Sequence, residues 1–414
     1  MRLLLAVLWL ATPLPSSAAS QPVSPPSLAA PTELLKLPKD DAPVITWAWP
    51  FVRVSPKGDR CVYIRKAGQI YPAMMLYIRT FGPPATEQAP PTAVPTLPIC
   101  WHWAFSGHCW RADGLQVAYL LADKKDEMEG ADPRSRLGVA VFDWDLPLPQ
   151  QSGGGISKDS LRSHTAVSFA PSGKTLWRAE SDLRTYLSCR IVGPEGVIYS
   201  GSGFAIYYLV PSPDGKHLAW VEQAPDVRKR AGAGAAAKEA AARLGLKVPG
   251  VPPPWRSRIV VMALANRKVL HRVELQQHCD SPPVWADGGK LVCYSDAALI
   301  GRIHRRELHA LSLADGKSRL LVRDAKAVGA IGRWLVANRG PGCIPLIQLT
   351  SSFAPPPGTD PRPKRNEIVL IPLVGEAEPL PLIADAFAQQ LLGRDLIYAE
   401  ENGPDVIVWR ATVR

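Results

Sequence analysis

The chain has 414 residues, 46% of them hydrophobic and 21% charged, which provides ample material for a core and excludes both a small disulfide scaffold and a generally disordered chain. Its 42 prolines and 32 glycines exclude long uninterrupted helices and point to many short, punctuated strands. With 48 Lys and Arg against 37 Asp and Glu, the net charge is +11, a surface that attracts anions without naming one.

Residues 1–19 carry Arg2, an apolar stretch from Leu3 to Ala11 and small residues ending in Ala18 and Ala19, which is the pattern of a secretory signal peptide. The stretch is shorter than the ~20 apolar residues a membrane span needs, and no later segment reaches that length. A periplasmic or secreted protein without a transmembrane segment is therefore expected; an uncleaved N-terminal anchor is the competing reading. Export would place Cys61, Cys100, Cys109, Cys189, Cys279, Cys293 and Cys343 in an oxidising compartment, where an odd number leaves at least one unpaired within the chain. Cys61 and Cys293, inside the apolar runs CVYI and LVCYS, suit buried thiols, whereas Cys100 and Cys109 are near enough to close a short loop. No CxxC is present, which removes thioredoxin-like and zinc-ribbon readings.

From Ser55 onward one tight turn followed by a short apolar strand recurs: SPKGDRCVYI, RADGLQVAYL, APSGKTLWRA, SPDGKHLAWV and ADGGKLVCYS, with shorter copies GRWLVANR and GRDLIYAE. Aligning Gly58, Gly114, Gly173, Gly215, Gly289, Gly332 and Gly393 places an apolar residue three positions later in every copy, from Cys61 to Leu396. Five positions later stand Tyr63, Tyr119, Trp220, Tyr294 and Tyr398, on the same strand face because strand side chains alternate. An aromatic there suits packing of one sheet on the next. A short apolar strand precedes each fuller turn, and RIVVMALANRKVLHRVEL and ELHALSLADGKSRLLV supply further hairpins, so each unit reads as a four-stranded antiparallel meander. Successive glycines lie 42 to 74 residues apart, in line with the roughly 40 to 50 residues of a propeller blade plus loop insertions.

SPDGKHLAW, with WADGGKLVCY and VSPKGDRCVY, resembles the WD40-like repeat of TolB-like β-propellers over residues 42–414, but the α/β domain that precedes the TolB propeller has no counterpart here. The resemblance implies an all-β propeller and leaves the function open, because propellers host many tasks. Seven turns predict seven blades, with six as the alternative if the Gly332 turn is absorbed elsewhere. Within the lead-in 20–41, ELLKLP near Glu33 reads as an outer strand that would pair with the C-terminal VIVWRATVR and close the last blade, removing an open edge. Residues 226–250 interrupt the fourth unit with an Ala-rich helical insertion, whose Arg228, Lys229 and Arg230 are a candidate basic docking element.

No phosphate loop, GxSxG, HExxH or EF-hand pattern occurs: the GKT at Gly173 and GKS at Gly316 lack the upstream glycine and belong to repeat turns. His102, His108, His164 and His278 precede inner strands and are the histidines that could converge on a metal near the channel. Loops entering the inner strands and leaving the second strands open on one face, so the candidate ligand-binding residues are Trp49, Trp101, His102, Trp103, His164, Tyr207 and Asp280, with Arg65, Arg178 and Arg339 from the exits. Aromatics beside arginines suit capture of a peptide or sugar, and each Trp equally suits blade packing. The expected function is thus a non-catalytic binding or scaffold propeller without cofactor, recognising an envelope protein, peptide or anionic glycan and not nucleic acid; a metal-dependent polysaccharide lyase or hydrolase is the alternative.

Overall fold

In the computed structural model, the described residues are 26–41, 51–67, 73–81, 92–93, 109–122, 137–143, 163–173, 175–182, 188–225, 255–276, 279, 281–300, 303–340, 343, 365–375 and 378–414. They form seven antiparallel sheets, six of four strands and one of two. Sheet 1 holds Val52–Val54, Arg60–Ala67, Ala73–Thr80 and Thr92–Ala93, and sheet 2 holds Gln116–Ala122 and Leu137–Asp143. Sheet 3 runs Ser163–Phe169, Leu176–Ser181, Cys189–Gly193 and Gly196–Gly201; sheet 4 runs Ala205–Pro211, His217–Pro225, Trp255–Ala263 and Lys268–Glu274. Sheet 5 contains Val284–Ala286, Leu291–Ile300, Ile303–Ser312 and Ser318–Arg323, and sheet 6 contains Ala325–Ile331, Trp334–Arg339, Glu367–Pro372 and Leu380–Ala384. Sheet 7 is Ala386–Leu392, Asp395–Asn402, Asp405–Thr412 and, from the other end of the described chain, Thr32–Pro38.

First strands of sheets 3 and 4, 5 and 6, 6 and 7, and 7 and 1 lie against one another. The sheets therefore stand round a common axis with their first strands innermost, which is a β-propeller. In sheet 2 the inner position is held by Trp110, bridged to Val117. The Gly332 turn opens a four-stranded sheet of its own. As ELLKLP foretold, Thr32–Pro38 pairs with the C-terminal strand, Glu33 opposite Trp409 and Pro38 opposite Asp405, with Leu35 and Leu37 buried and Lys36 outward. Residues 1–19, expected to be a signal peptide, and the 226–250 insertion lie outside the described residues, as does Cys100. Among the described residues no helix is long and apolar enough to cross a membrane.

The turns explain why the repeat has two grades. In four of the five fuller copies the carbonyls of Ser55, Arg111, Ala170 and Ser212 each accept from the glycine N–H three residues on, at 2.8–2.9 Å, and the glycine takes φ of +69° to +74°. This is a four-residue turn closed by a left-handed residue, a conformation that costs glycine little. The copies at Gly332 and Gly393 pair Ile331 with Trp334 and Leu392 with Asp395, so only Gly-Arg fills the loop. A two-residue hairpin has no room for Ser-Pro-Asp, and the motif shortens to its glycine.

Turn carboxylates lock the longer loops. Asp214 accepts from Ser212 Oγ at 2.6 Å and from the Lys216 N–H at 3.0 Å, and Asp113 accepts from Arg111 Nε at 2.8 Å and from the Leu115 N–H at 2.9 Å. The Ser212 hydroxyl and then the Lys216 amide hold the Asp214 carboxyl below its ordinary value of 3.8; Arg111 does the same for Asp113. The unfolded chain, with ordinary carboxyls, takes up protons before the folded one does. Stability contributed by these turns is present above pH 3.8 and lost as the pH falls through the lower folded-state values. We expect the urea midpoint to drop between pH 5 and pH 3, and Asp214→Asn to lower it at pH 5 while flattening the acid limb; an unchanged limb in the variant would discount the turn.

The core lies between sheets. Tyr63, Tyr119, Trp220, Tyr294 and Tyr398, the aromatics five after the glycine, are all buried. Cys61 and Cys293 are fully buried free thiols, as their apolar runs implied, and Cys109 is likewise a buried free thiol. Polar side chains stitch neighbouring inner strands: Asn338 of sheet 6 donates to the Ala388 carbonyl at 2.9 Å and accepts from the Ala388 N–H at 2.7 Å. Gln389 and Gln390 repeat the device toward sheet 1, accepting from the Phe51 and Val54 N–H groups at 2.9 and 2.7 Å.

Candidate functional site

The propeller has two channel ends, one where the chain enters each inner strand and one where the repeat turns lie. At the entering end the repeat register places Arg65, Glu180, Glu222, Asp296, Arg339 and Glu400 seven residues after their turn glycines. Each is engaged within the fold. Arg65 pairs with Asp41, and Arg339 lies 3.5 Å from Glu367. Asp296 accepts from the Gln276 N–H at 2.7 Å, and Glu400 accepts from Trp409 Nε1 at 2.8 Å. Glu222, 1% exposed, accepts from Tyr199 Oη at 2.6 Å, Trp220 Nε1 at 3.1 Å and Arg258 Nε at 2.6 Å.

Arg178 reaches Glu180 at 3.1 Å and Arg190 reaches the other carboxylate oxygen at 2.6 Å. Burial opposes ionisation of Glu180, but the bonds from Arg190 and Arg178 outweigh it and hold the carboxyl below its usual range. His164 stands opposite Glu180 in the strand register. Burial lowers its pKa against the pull of Glu180, and its Nδ1 has no hydrogen-bond partner among the described residues. Tyr207 is 4% exposed and packs with Ala205, Val221 and Ile259, so its ring serves the core. Of the expected ligand residues the structure thus brings Arg65, Arg178, His164 and Arg339 to the entering end, the three arginines already paired with acids. Trp49, Trp101, His102, Trp103 and Asp280, with His108, His278, Arg228, Lys229 and Arg230, lie outside the described residues. No group of three His, Cys, Asp or Glu side chains converges among the described residues.

The turn end holds a cavity of about 500 Å³ that the entering-face reading missed. Inner-strand ends of sheets 1, 2, 4, 5, 6 and 7 line it, with Pro56, Pro211, Pro213, Pro282 and Pro283 on the walls. Trp110 and Trp285 also line it, each standing four residues before its turn glycine. Their indole N–H groups donate to the preceding sheet, Trp110 to the Arg53 carbonyl at 3.3 Å and Trp285 to the Val210 carbonyl at 2.9 Å, which anchors both rings. Gln390 is spent on Val54, accepting at 2.7 Å and donating at 3.2 Å.

Arg53 differs from the arginines at the other end. Its Nη1 donates to the Gln389 carbonyl, and burial lowers its pKa with only the Cys109 thiol acting against it. No carboxylate pairs with it among the described residues. The sequence signal that could have found this end was the Trp before the turn, in HCWRADG and PVWADGG, read as position in the blade and not only as packing.

No protein-family model matches the chain, and no curated protein matches its sequence. Solved structures similar in fold include the acylaminoacyl peptidase of Pyrococcus horikoshii, at 12% identity over 69% of this chain and 41% of that one, TM-score 0.40. A putative TolB from Agrobacterium tumefaciens is 12% identical over 66% of this chain and 80% of its own, TM-score 0.37. The β-propeller domain of the Trilobed protease from Pyrococcus furiosus, described as having an open velcro topology, is 10% identical over 94% and 82%, TM-score 0.34. The chain spans 41% of the length of the acylaminoacyl peptidase it matches.

Proposed function

We propose that this β-propeller is an exported, non-catalytic binding module of seven blades, related to TolB-like repeats, that holds a segment of an envelope polypeptide in the turn end of its channel. The export reading rests on residues 1–19 and the family reading on the SPDGK turns. The observation that carries the binding reading is the cavity of about 500 Å³ walled by Trp110, Trp285 and five prolines. That volume falls within the ~300–1,000 Å³ of ordinary ligand pockets. Rigid rings and fixed proline walls lose little freedom when a partner is ordered against them, which favours capture of an extended segment. The arginines and acids that could have held an anionic glycan at the opposite end are committed to each other, which favours a polypeptide over a glycan.

The test is a pair of pull-downs from native envelope, with the chain lacking its leader and with its Ala330→Trp variant. Ala330 lines the cavity at the end of the sheet 6 inner strand, so a Trp there fills the space without removing any polar bond described above. Expected is a partner held by the parent protein and lost by the variant at unchanged thermal stability. Equal capture by both proteins would overturn the site.

A further inference from the structure

The walls of the turn-end cavity offer a ligand little to bond. Proline has no N–H, the two indole N–H groups are spent inside the protein, Gln390 gives one N–H to Val54 and accepts from it, and most of the remaining lining is apolar side chain. Arg53 is the one cation among the described lining residues. A guanidinium carries five donors in a fixed fork, and the Gln389 carbonyl takes one of them. Elsewhere in the fold Arg65, Arg178, Arg190, Arg258, Arg305 and Arg410 meet a carboxylate; Arg319 and Arg394, like Arg53, donate to a carbonyl instead, but neither lines the cavity. A half-buried arginine left without a carboxylate, in the wall of a mostly apolar cavity, is a site whose missing partner is an anion. Carboxylate is the anion that matches the fork two bonds at a time.

We propose that Arg53 anchors the C-terminal carboxylate of a polypeptide whose last side chains are apolar, the end of the chain entering the cavity and its side chains resting on Trp110, Trp285 and the prolines. This rests on the reading of the cavity as a polypeptide site and adds which part of the polypeptide is taken. A chain end brings one negative charge and no further main chain to accommodate. An acidic side chain in mid-segment would bring two main-chain arms lined with donors and acceptors that the proline walls leave unpaired, which is costly wherever those walls displace their water.

The probes are five-residue peptides with an N-terminal fluorophore and apolar final residues, prepared as free acids and as C-terminal amides, with octanoate as a small apolar acid. Fluorescence anisotropy is read on the parent protein, Arg53→Gln, Arg53→Lys and Ala330→Trp, with thermal unfolding of each. Expected is about tenfold or more tighter binding of acid than amide to the parent, from a charge-assisted bond to a half-buried guanidinium. Arg53→Gln should equalise acid and amide, Arg53→Lys should keep part of the preference, and Ala330→Trp should abolish both. Equal affinity of acid and amide for the parent would overturn the role of Arg53 and leave the polypeptide reading standing. Octanoate binding that depends on Arg53, with no peptide binding, would retain the carboxylate and overturn the polypeptide. If Arg53→Gln fails to fold, a reduced acid preference in a folded Arg53→Lys still supports the anchor, and its full retention at raised salt counts against it. No binding by any probe would overturn both.

Discussion

Deletion of residues 26–38 is expected to open the ring and drive the chain into larger assemblies. That segment provides the outer strand of sheet 7, with Leu35 and Leu37 at 2% and 4% exposure, Lys36 2.8 Å from Asp405, and main-chain bonds joining Ser27 and Ala29 to Arg414 and Thr412. Burying two leucines contributes about 2 kcal/mol each, and each lost strand bond about 1 kcal/mol more. The sum approaches the 5–15 kcal/mol that typically separates a folded domain from its unfolded chain. Deletion also strips Asp405–Thr412 of its partner and leaves an unpaired edge that invites association with other chains. Light scattering on a sizing column should show species larger than the intact chain gives, and a synthetic peptide of residues 26–41 should restore the intact chain's size in trans. A deletion variant of the intact chain's size with unchanged melting would contradict the closure.

The second large effect concerns Glu222. Glu222→Gln keeps the shape but removes the charge that faces Arg258, whose side chain is 19% exposed. It also weakens the bonds from Tyr199 and Trp220. Breaking a buried pair from one side costs about 3–5 kcal/mol because the other charge stays behind; Arg258 keeps some solvent and a 3.7 Å approach to Glu274, so the lower end, about 3 kcal/mol, is expected. Guanidinium unfolding followed by tryptophan fluorescence would read it. The double change Glu222→Leu with Arg258→Met should recover much of the loss, since no charge is then stranded. A single variant as stable as the parent would show that Tyr199 and Trp220, not the ion pair, hold this corner.

The fold was legible because glycine turns, apolar strands and aromatics recur at fixed offsets, and each offset corresponds to a fixed place in a sheet. ELLKLP was legible for the same reason: its alternation gives one buried face and one solvent face. The ion pairs were not, because Arg190 and Arg258 reach Glu180 and Glu222 from third strands, 10 and 36 residues along the chain. A repeat pattern fixes which strand a residue belongs to and leaves open what faces it across the sheet. Arg65, Arg178 and Arg339 therefore looked like free ligands in the sequence and are partners in the structure. Arg53 was overlooked for the complementary reason: in FVRVSPKG it reads as a solvent-side residue of a half-buried strand, and only ring closure shows that the solvent side of an innermost strand is the channel.

Pairing Thr32–Pro38 with Asp405–Thr412 also sets an order of events during synthesis. The two strands are separated by nearly the whole described chain, and loop-closure entropy makes such a contact slow to form, while hairpins within one sheet form quickly. Sheets 1 to 6 can assemble as the chain emerges, each on the one before. Sheet 7 waits for its C-terminal strand, and the segment made near the beginning must stay unpaired until the end. During that interval the open ring exposes one edge and one free strand of the same chain, so two unfinished molecules could complete each other as readily as themselves. The yield of rings closed by their own strand should consequently depend on chain concentration during folding even where the stability of the finished ring does not.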